Sequence, residues 1–166
     1  MIEAYAEWLV KKKTPAYYMI LKPVMVIVCV IALLLAVMTP LVGMLALLAA
    51  AAATYLVFRN SNLEYEYIYV TGQLTFDKIM GQAKRKTVKS VDMEEVQVIA
   101  PLNAYQLKDL ERSGMKTLDF SSGAPDAKCY GLIMQKGSET TKIIFEPNDK
   151  MLQCLRQAAP RKVVLQ

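Results

Sequence analysis

The chain has no histidine and only three cysteines, Cys29, Cys129 and Cys154, with no CxxC pair. That lack removes the commonest zinc sites and the usual Ser–His and Cys–His catalytic pairs. An odd number of widely spaced cysteines, one of them in an apolar run, is not a disulfide framework and fits buried or free thiols in a reducing compartment. Charge is missing over a long stretch: from Pro23 to Phe58 there is no charged side chain. Nor does one sign dominate elsewhere. Residues 1–22 carry four Lys against two Glu, Arg59 adds one cation, and residues 60–166 carry fifteen Lys and Arg against thirteen Asp and Glu. Much of the formal charge of +5 therefore flanks the apolar run, and is not the footprint of a nucleic-acid binder.

The uncharged run raises the question of one membrane crossing or two. As a single helix, residues 24–58 would extend roughly 52 Å, against a bilayer core of about 30 Å. Tilt does not absorb that excess. Divided at Thr39-Pro40, the run fits two spans within residues 16–58, because Pro40 is suited to begin a helix. The small residues around Ala49–Tyr55 let two helices approach closely. Lys11, Lys12, Lys13 and Lys22 precede the first span, Arg59 follows the second, and the turn is uncharged. The positive-inside rule then predicts a multi-pass cell-membrane protein with both termini and residues 60–166 in the cytoplasm. Tyr17 and Tyr18 are expected at headgroup depth, with Lys22 snorkelling to the interface. The rival reading, a cleaved secretory signal, meets an apolar region more than twice the usual length. In residues 1–13, Ile2, Tyr5, Trp8 and Leu9 recur at helical spacing, and the lysines follow. This predicts a short amphipathic helix at the interface, anchored by Trp8.

After Arg59 the period changes to two. "NLEYEYIYV" puts Tyr65, Tyr67 and Tyr69 on one face and Glu64, Glu66, Ile68 and Val70 on the other. Further strands are expected in "QLTFDKIM", "QAKRKTVKSV", "EEVQVIAP", "MKTLDFSSG", "AKCYGLIMQKG" and "ETTKIIFEP", with a short helix or structured loop in "AYQLKDLERSG". "NDKMLQCLRQAAP" reads as a closing helix with Asn148 as N-cap, an apolar stripe of Met151, Leu152 and Leu155, and Pro160 as its stop. Seven strands and one helix suit a small sheet whose open end the helix covers.

The "LVKKK" entry, the hairpin through Thr39-Pro40, the pattern "YEYIYVTGQLTFDKIMGQAKRKTVKSVDMEEV" and the closing "IIFEPNDKMLQCL" carry a resemblance over nearly the whole chain. It resembles uncharacterised bacterial membrane proteins in which two N-terminal transmembrane helices precede a pleckstrin-homology-like cytosolic domain. The resemblance implies an α+β fold: a transmembrane helical hairpin, then a pleckstrin-homology-like antiparallel β-barrel or sandwich over residues 62–159 with a C-terminal capping helix. Residues 160–166 are left as a tail.

One charge cluster stands out. Lys84, Arg85, Lys86 and Lys89 fall within six residues, with Lys78 across the turn at Gly81. These cations either keep a solvated strand from pairing at its edge, or attract an anionic leaflet or phosphate headgroup. The row of Tyr65, Tyr67 and Tyr69 is either core or a partner-binding stripe. Asp92, Glu94 and Glu95 offer too few oxygens for a divalent metal, and Cys129 has no nearby base to activate it. The expectation is a non-enzymatic, membrane-anchored binding or assembly module, without cofactor, metal, nucleic acid or evident small-molecule substrate. It would sit in the lipid bilayer and hold a protein partner or a second copy of itself, with anionic-lipid sensing by residues 84–89 as the alternative.

Overall fold

The computed structural model describes residues 5–81, 84–111 and 114–165. They form two compact units. One comprises Lys13–Leu63 with Met80–Lys84; the other comprises Met1–Lys12, Glu64–Ile79 and Arg85–Gln166.

The first unit is a helical hairpin, α1 (Ala16–Met38) and α2 (Pro40–Ser61). Thr39 alone separates them. Its N–H and hydroxyl both donate to the Leu35 carbonyl, at 2.8 and 3.0 Å, closing α1. Pro40 then opens α2, where a missing N–H costs nothing. Gly43 explains the tight approach of the helices: a Cβ there would lie 2.3 Å from the Ala36 Cα. Buried Ala32 and Ala50 continue this small-residue packing. Cys29 Sγ lies 3.1 Å from the Thr54 hydroxyl, which donates to the Ala50 carbonyl. The other helical side chains are mostly apolar and exposed, such as Met38 and Leu41. Both helices are long and apolar enough to cross a membrane. So much exposed apolar surface distinguishes them from the core helices of a soluble protein.

The second unit contains two four-stranded sheets. The first has the order β1 (Tyr5–Lys11), β2 (Leu63–Val70), β3 (Gln73–Met80), β4 (Lys84–Asp92); the second has the order β5 (Val96–Pro101), β7 (Tyr130–Lys136), β8 (Glu139–Phe145), β6 (Lys116–Asp119). Two expectations are corrected here, and the expected barrel or sandwich is found as two separate sheets. Residues 5–11 form a strand, not an interfacial helix, and pair antiparallel with β2 from Tyr5↔Val70 to Lys11↔Glu64. Buried Ala6 and Val10 share one face while Tyr5, Glu7 and Leu9 take the other, a period of two that the spacing of Tyr5, Trp8 and Leu9 disguised. Ile2 lies outside the described residues. The sheets do not close into a barrel, because β4 passes to β5 through a turn without forming a ladder. β6 runs parallel to β8, so the second sheet is mixed. Finally, the tail is partly structured: the Ile99 N–H donates to the Lys162 carbonyl at 2.7 Å and the Val164 N–H to the Ile99 carbonyl at 2.8 Å. This covers part of the β5 edge.

The core is aromatic at its centre. Tyr67, Phe76 and Phe145 meet edge to face, and Phe120 stacks on Phe76. The Tyr67 hydroxyl donates to the Phe120 carbonyl at 2.6 Å and accepts from the Glu146 N–H at 3.3 Å, so the buried oxygen is satisfied. On the far side of the second sheet, α3 (Tyr105–Leu110) seats Leu107 among Val98, Ala100 and Ile133. The closing helix α4 (Asp149–Ala158) packs against β1, burying Met151, Leu152 and Leu155. Asn148 caps it by accepting the Met151 N–H at 2.8 Å. Asn148→Ala should cost about 1 kcal/mol. Urea unfolding followed by the emission of Trp8, the only tryptophan and part of this unit, reads that loss directly; an unchanged midpoint would show the cap to be dispensable.

Candidate functional site

Alternation sets the chemistry of the first sheet's two faces. Tyr65, Tyr67 and Tyr69 are buried, which settles the tyrosine row as core. Glu64, Glu66, Ile68 and Val70 therefore take the opposite face, and Asp77 alternates in the same way with buried Phe76. Two of these outward acids are covered all the same: Glu66 is 3% exposed and Asp77 5%. Arg85 of β4 covers them. Its guanidinium pairs directly with Glu66 and lies 3.7 Å from an Asp77 oxygen, while the Arg85 side chain itself stays half exposed.

Glu7 and Tyr5 complete the cluster from β1. The Tyr5 hydroxyl donates to the Glu7 carboxylate. This bond and a second with Glu66 hold Glu7 below the ordinary carboxylate range. Burial, and then the hydrogen bond with Glu7, push Glu66 above that range despite the opposing Arg85 charge. A proton shared between the two carboxyls belongs to the pair. Among the described residues, no three His, Cys, Asp or Glu side chains gather as a metal-binding group. The arrangement is thus an ion-pair network under a half-exposed cationic cover, bordered by exposed Tyr5, Leu9 and Val70.

The structure divides the basic cluster. Arg85 is committed to Glu66 and Asp77; Lys84 and Lys86 are exposed, and Lys89 and Lys78 are half-buried. Of the expected interface anchors, Trp8 and Lys11 belong to β1, with Lys11 opposite Glu64. Lys12 points its ammonium at the Tyr65 ring, 5.4 Å from the centroid, and Lys13 is exposed. The rings of Tyr17 and Tyr18 lie 4.5 Å apart near the start of α1. Lys22 stands over the Phe58 ring at 5.5 Å, and Arg59 lies in the last turn of α2. Burial pushes the Cys129 thiol up, the opposite of what a nucleophile needs.

Glu66, Asp77 and Glu7 were not singled out from sequence. The alternation in "YEYIY" places Glu66 outward but carries no sign that Arg85 will cover it. A family model described as a bacterial PH-like domain (DUF6106) matches residues 2–165. No curated protein and no solved structure matches the chain.

Proposed function

We propose, on the premise that the chain belongs to the bacterial PH-like domain family (DUF6106), that it is a membrane-anchored binding and assembly module without enzymatic activity. The helical hairpin is the anchor and the two-sheet unit holds a protein partner on the cytoplasmic side. Strand pairing carries the anchoring. β1 precedes α1 and β2 follows α2, yet the two strands are hydrogen-bonded neighbours. An odd number of crossings would leave them on opposite sides of the bilayer, which favours two crossings over one. Lys11, Lys12, Lys13, Lys22 and Arg59 then favour the cytoplasm for both ends. A reporter inserted at Thr39-Pro40 should be active only outside the cell, and one at the C-terminus only inside. Exterior activity of the C-terminal fusion would refute this topology.

The outward face of the first sheet is the partner surface. Tyr5, Leu9 and Val70 are each more than 40% exposed there, beside the Arg85 ion pairs. Apolar anchors next to a polar rim suit a protein surface with an apolar centre. A photo-crosslinking residue at Leu9 or Val70 should trap one discrete adduct in membranes, while the same residue at exposed Tyr105 of α3 traps none. A second copy of the chain would be identified by the adduct's mass. Equal, diffuse labelling at all three positions would count against this surface.

The alternative is sensing of anionic lipid by residues 84–89. Exposed Lys84 and Lys86 favour it, each contributing about 1 kcal/mol close to an anionic leaflet. The commitment of Arg85 to two carboxylates reduces the charge that the strand has to offer.

A further inference from the structure

Within the helical unit, the last turn of α2 together with Met80, Gly81 and Lys84 lines a cavity of about 510 Å³. Arg59 and Lys84 line it, and among the described residues no carboxylate does. The carbonyls ending α2 carry roughly half a negative charge, which two full cations outweigh. Asn62 and Tyr55 add hydrogen-bond donors, and Phe58 and Met80 add apolar wall. A third cation is close by, since Lys22 stands over the Phe58 ring.

The cavity is built, not a chance hollow. The Gly81 N–H donates to the Asn62 carbonyl at 2.9 Å, which fixes the turn to the end of α2. Gly81 has a φ of +59°, and a Cβ there would come within 3.4 Å of the Arg59 Cγ, so the turn rests on the arginine stem. The Arg59 Nε is buried and meets no acceptor among the described residues. A buried guanidinium N–H without a partner is costly, and an oxyanion would satisfy it. Guanidinium, ammonium and amide donors around one concave site match the oxygens of a phosphate group.

We infer that this cavity binds a phosphate group, and that its source is an anionic phospholipid. The assignment of the source rests on the membrane-anchored reading; the phosphate chemistry does not. Arg59 is the first charged residue after the uncharged run. The cavity therefore opens where a spanning helix leaves the hydrocarbon and enters the headgroup layer. Its apolar wall suits the glycerol and upper acyl carbons below the phosphate.

The test uses the full chain purified in neutral detergent, mixed with equal amounts of phosphatidylglycerol and phosphatidylcholine, and examined by native mass spectrometry. The wild type should retain phosphatidylglycerol with a preference of about tenfold. Arg59→Gln and Lys84→Gln should each reduce that preference several-fold, with Trp8 emission unchanged to show that the two-sheet unit is folded. Lys86→Gln with Lys89→Gln should leave it intact. Equal retention of the two lipids, or a preference indifferent to Arg59→Gln and Lys84→Gln, overturns the site. Loss only in the Lys86/Lys89 variant moves the lipid to the strand and also overturns it. Glycerol 3-phosphate in excess separates the sources: displacement of the lipid assigns the cavity to a soluble phosphate compound and overturns the lipid source, whereas retention supports the lipid. None of these outcomes bears on crosslinking at Leu9 and Val70, so the two readings fail separately.

Discussion

Phe76→Ala should destabilise the two-sheet unit by about 3–5 kcal/mol. Phe76 is 1% exposed and lies among three aromatic rings, with centroids at 4.9 Å from Phe120, 5.5 Å from Tyr67 and 5.6 Å from Phe145. Truncation removes its burial energy and leaves a ring-sized hole. Its neighbours come from β2, the segment after β6, and β8, so collapse around the hole would require both sheets to move. The Tyr67 hydroxyl is also held in place at its carbonyl and amide partners, which restrains that ring from filling the space. Domains of this kind hold only about 5–15 kcal/mol in total, so the variant is expected to be partly unfolded or close to it. Urea titration of the full chain in detergent, read by Trp8, gives the loss. Phe76→Leu should recover more than half of it, because most of the volume returns. A loss under about 1 kcal/mol for the alanine variant would mean that the aromatic cluster is not the centre of the core.

The second large effect concerns Arg85. Removing one member of a buried ion pair costs about 3–5 kcal/mol, because the remaining charge has no partner. Here the two acids are nearly inaccessible but Arg85 is half exposed, so water enters when its side chain is cut back. Arg85→Ala is therefore placed at about 2–3 kcal/mol at neutral pH, just below that range. The cost should depend on pH in a definite direction. Glu66 is held above its ordinary value of 4.5, so its carboxyl favours folding most when protonated. That contribution is complete below the unfolded value and lost as pH rises through the folded one. Arg85 opposes the upward shift, and its removal raises the folded value of Glu66 further. The penalty of Arg85→Ala should thus be largest well above the folded value of Glu66 and shrink as pH falls through it. Glu7, held below its ordinary value, works in the opposite sense and loses its contribution as pH falls. Urea midpoints of wild type and variant at several pH values test this; a penalty that stays flat across the range would refute it. In a Glu66→Gln, Asp77→Asn background, Arg85→Ala should cost under about 0.5 kcal/mol, since no buried charge is left to orphan.

The cluster also bears on partner binding. Arg85 is the one basic residue of residues 84–89 seen to engage buried acids, and it borders the exposed Tyr5, Leu9 and Val70. A partner carrying its own carboxylate could not draw Arg85 away without leaving Glu66 and Asp77 unpaired. The outward face is better suited to apolar contacts supplemented by neutral hydrogen bonds.

Much of the architecture was legible in order. The uncharged run and Thr39-Pro40 mark the helical hairpin, because span length and proline's missing donor are local properties. The seven strands after Arg59 follow from alternation and turn residues. Asn148 and the stripe at Met151, Leu152 and Leu155 identify the closing helix from adjacent positions. The basic cluster was visible as composition, but its partners were not.

What tertiary structure alone decided lies between residues far apart in the chain. Tyr5–Lys11 became a strand because Glu64–Val70 offered it a ladder, and the helical hairpin separates the two in sequence. Glu66 and Asp77 became buried acids because Arg85 folded over them. Lys162–Val164 joined Ile99, and Arg59 came to share a cavity with Lys84. Hydropathy, period and capping are written within a few neighbouring residues, so the sequence determined the elements and their order. Strand partners, the cover over a charge and the walls of a cavity depend on which distant segments meet, and the folded chain decided those.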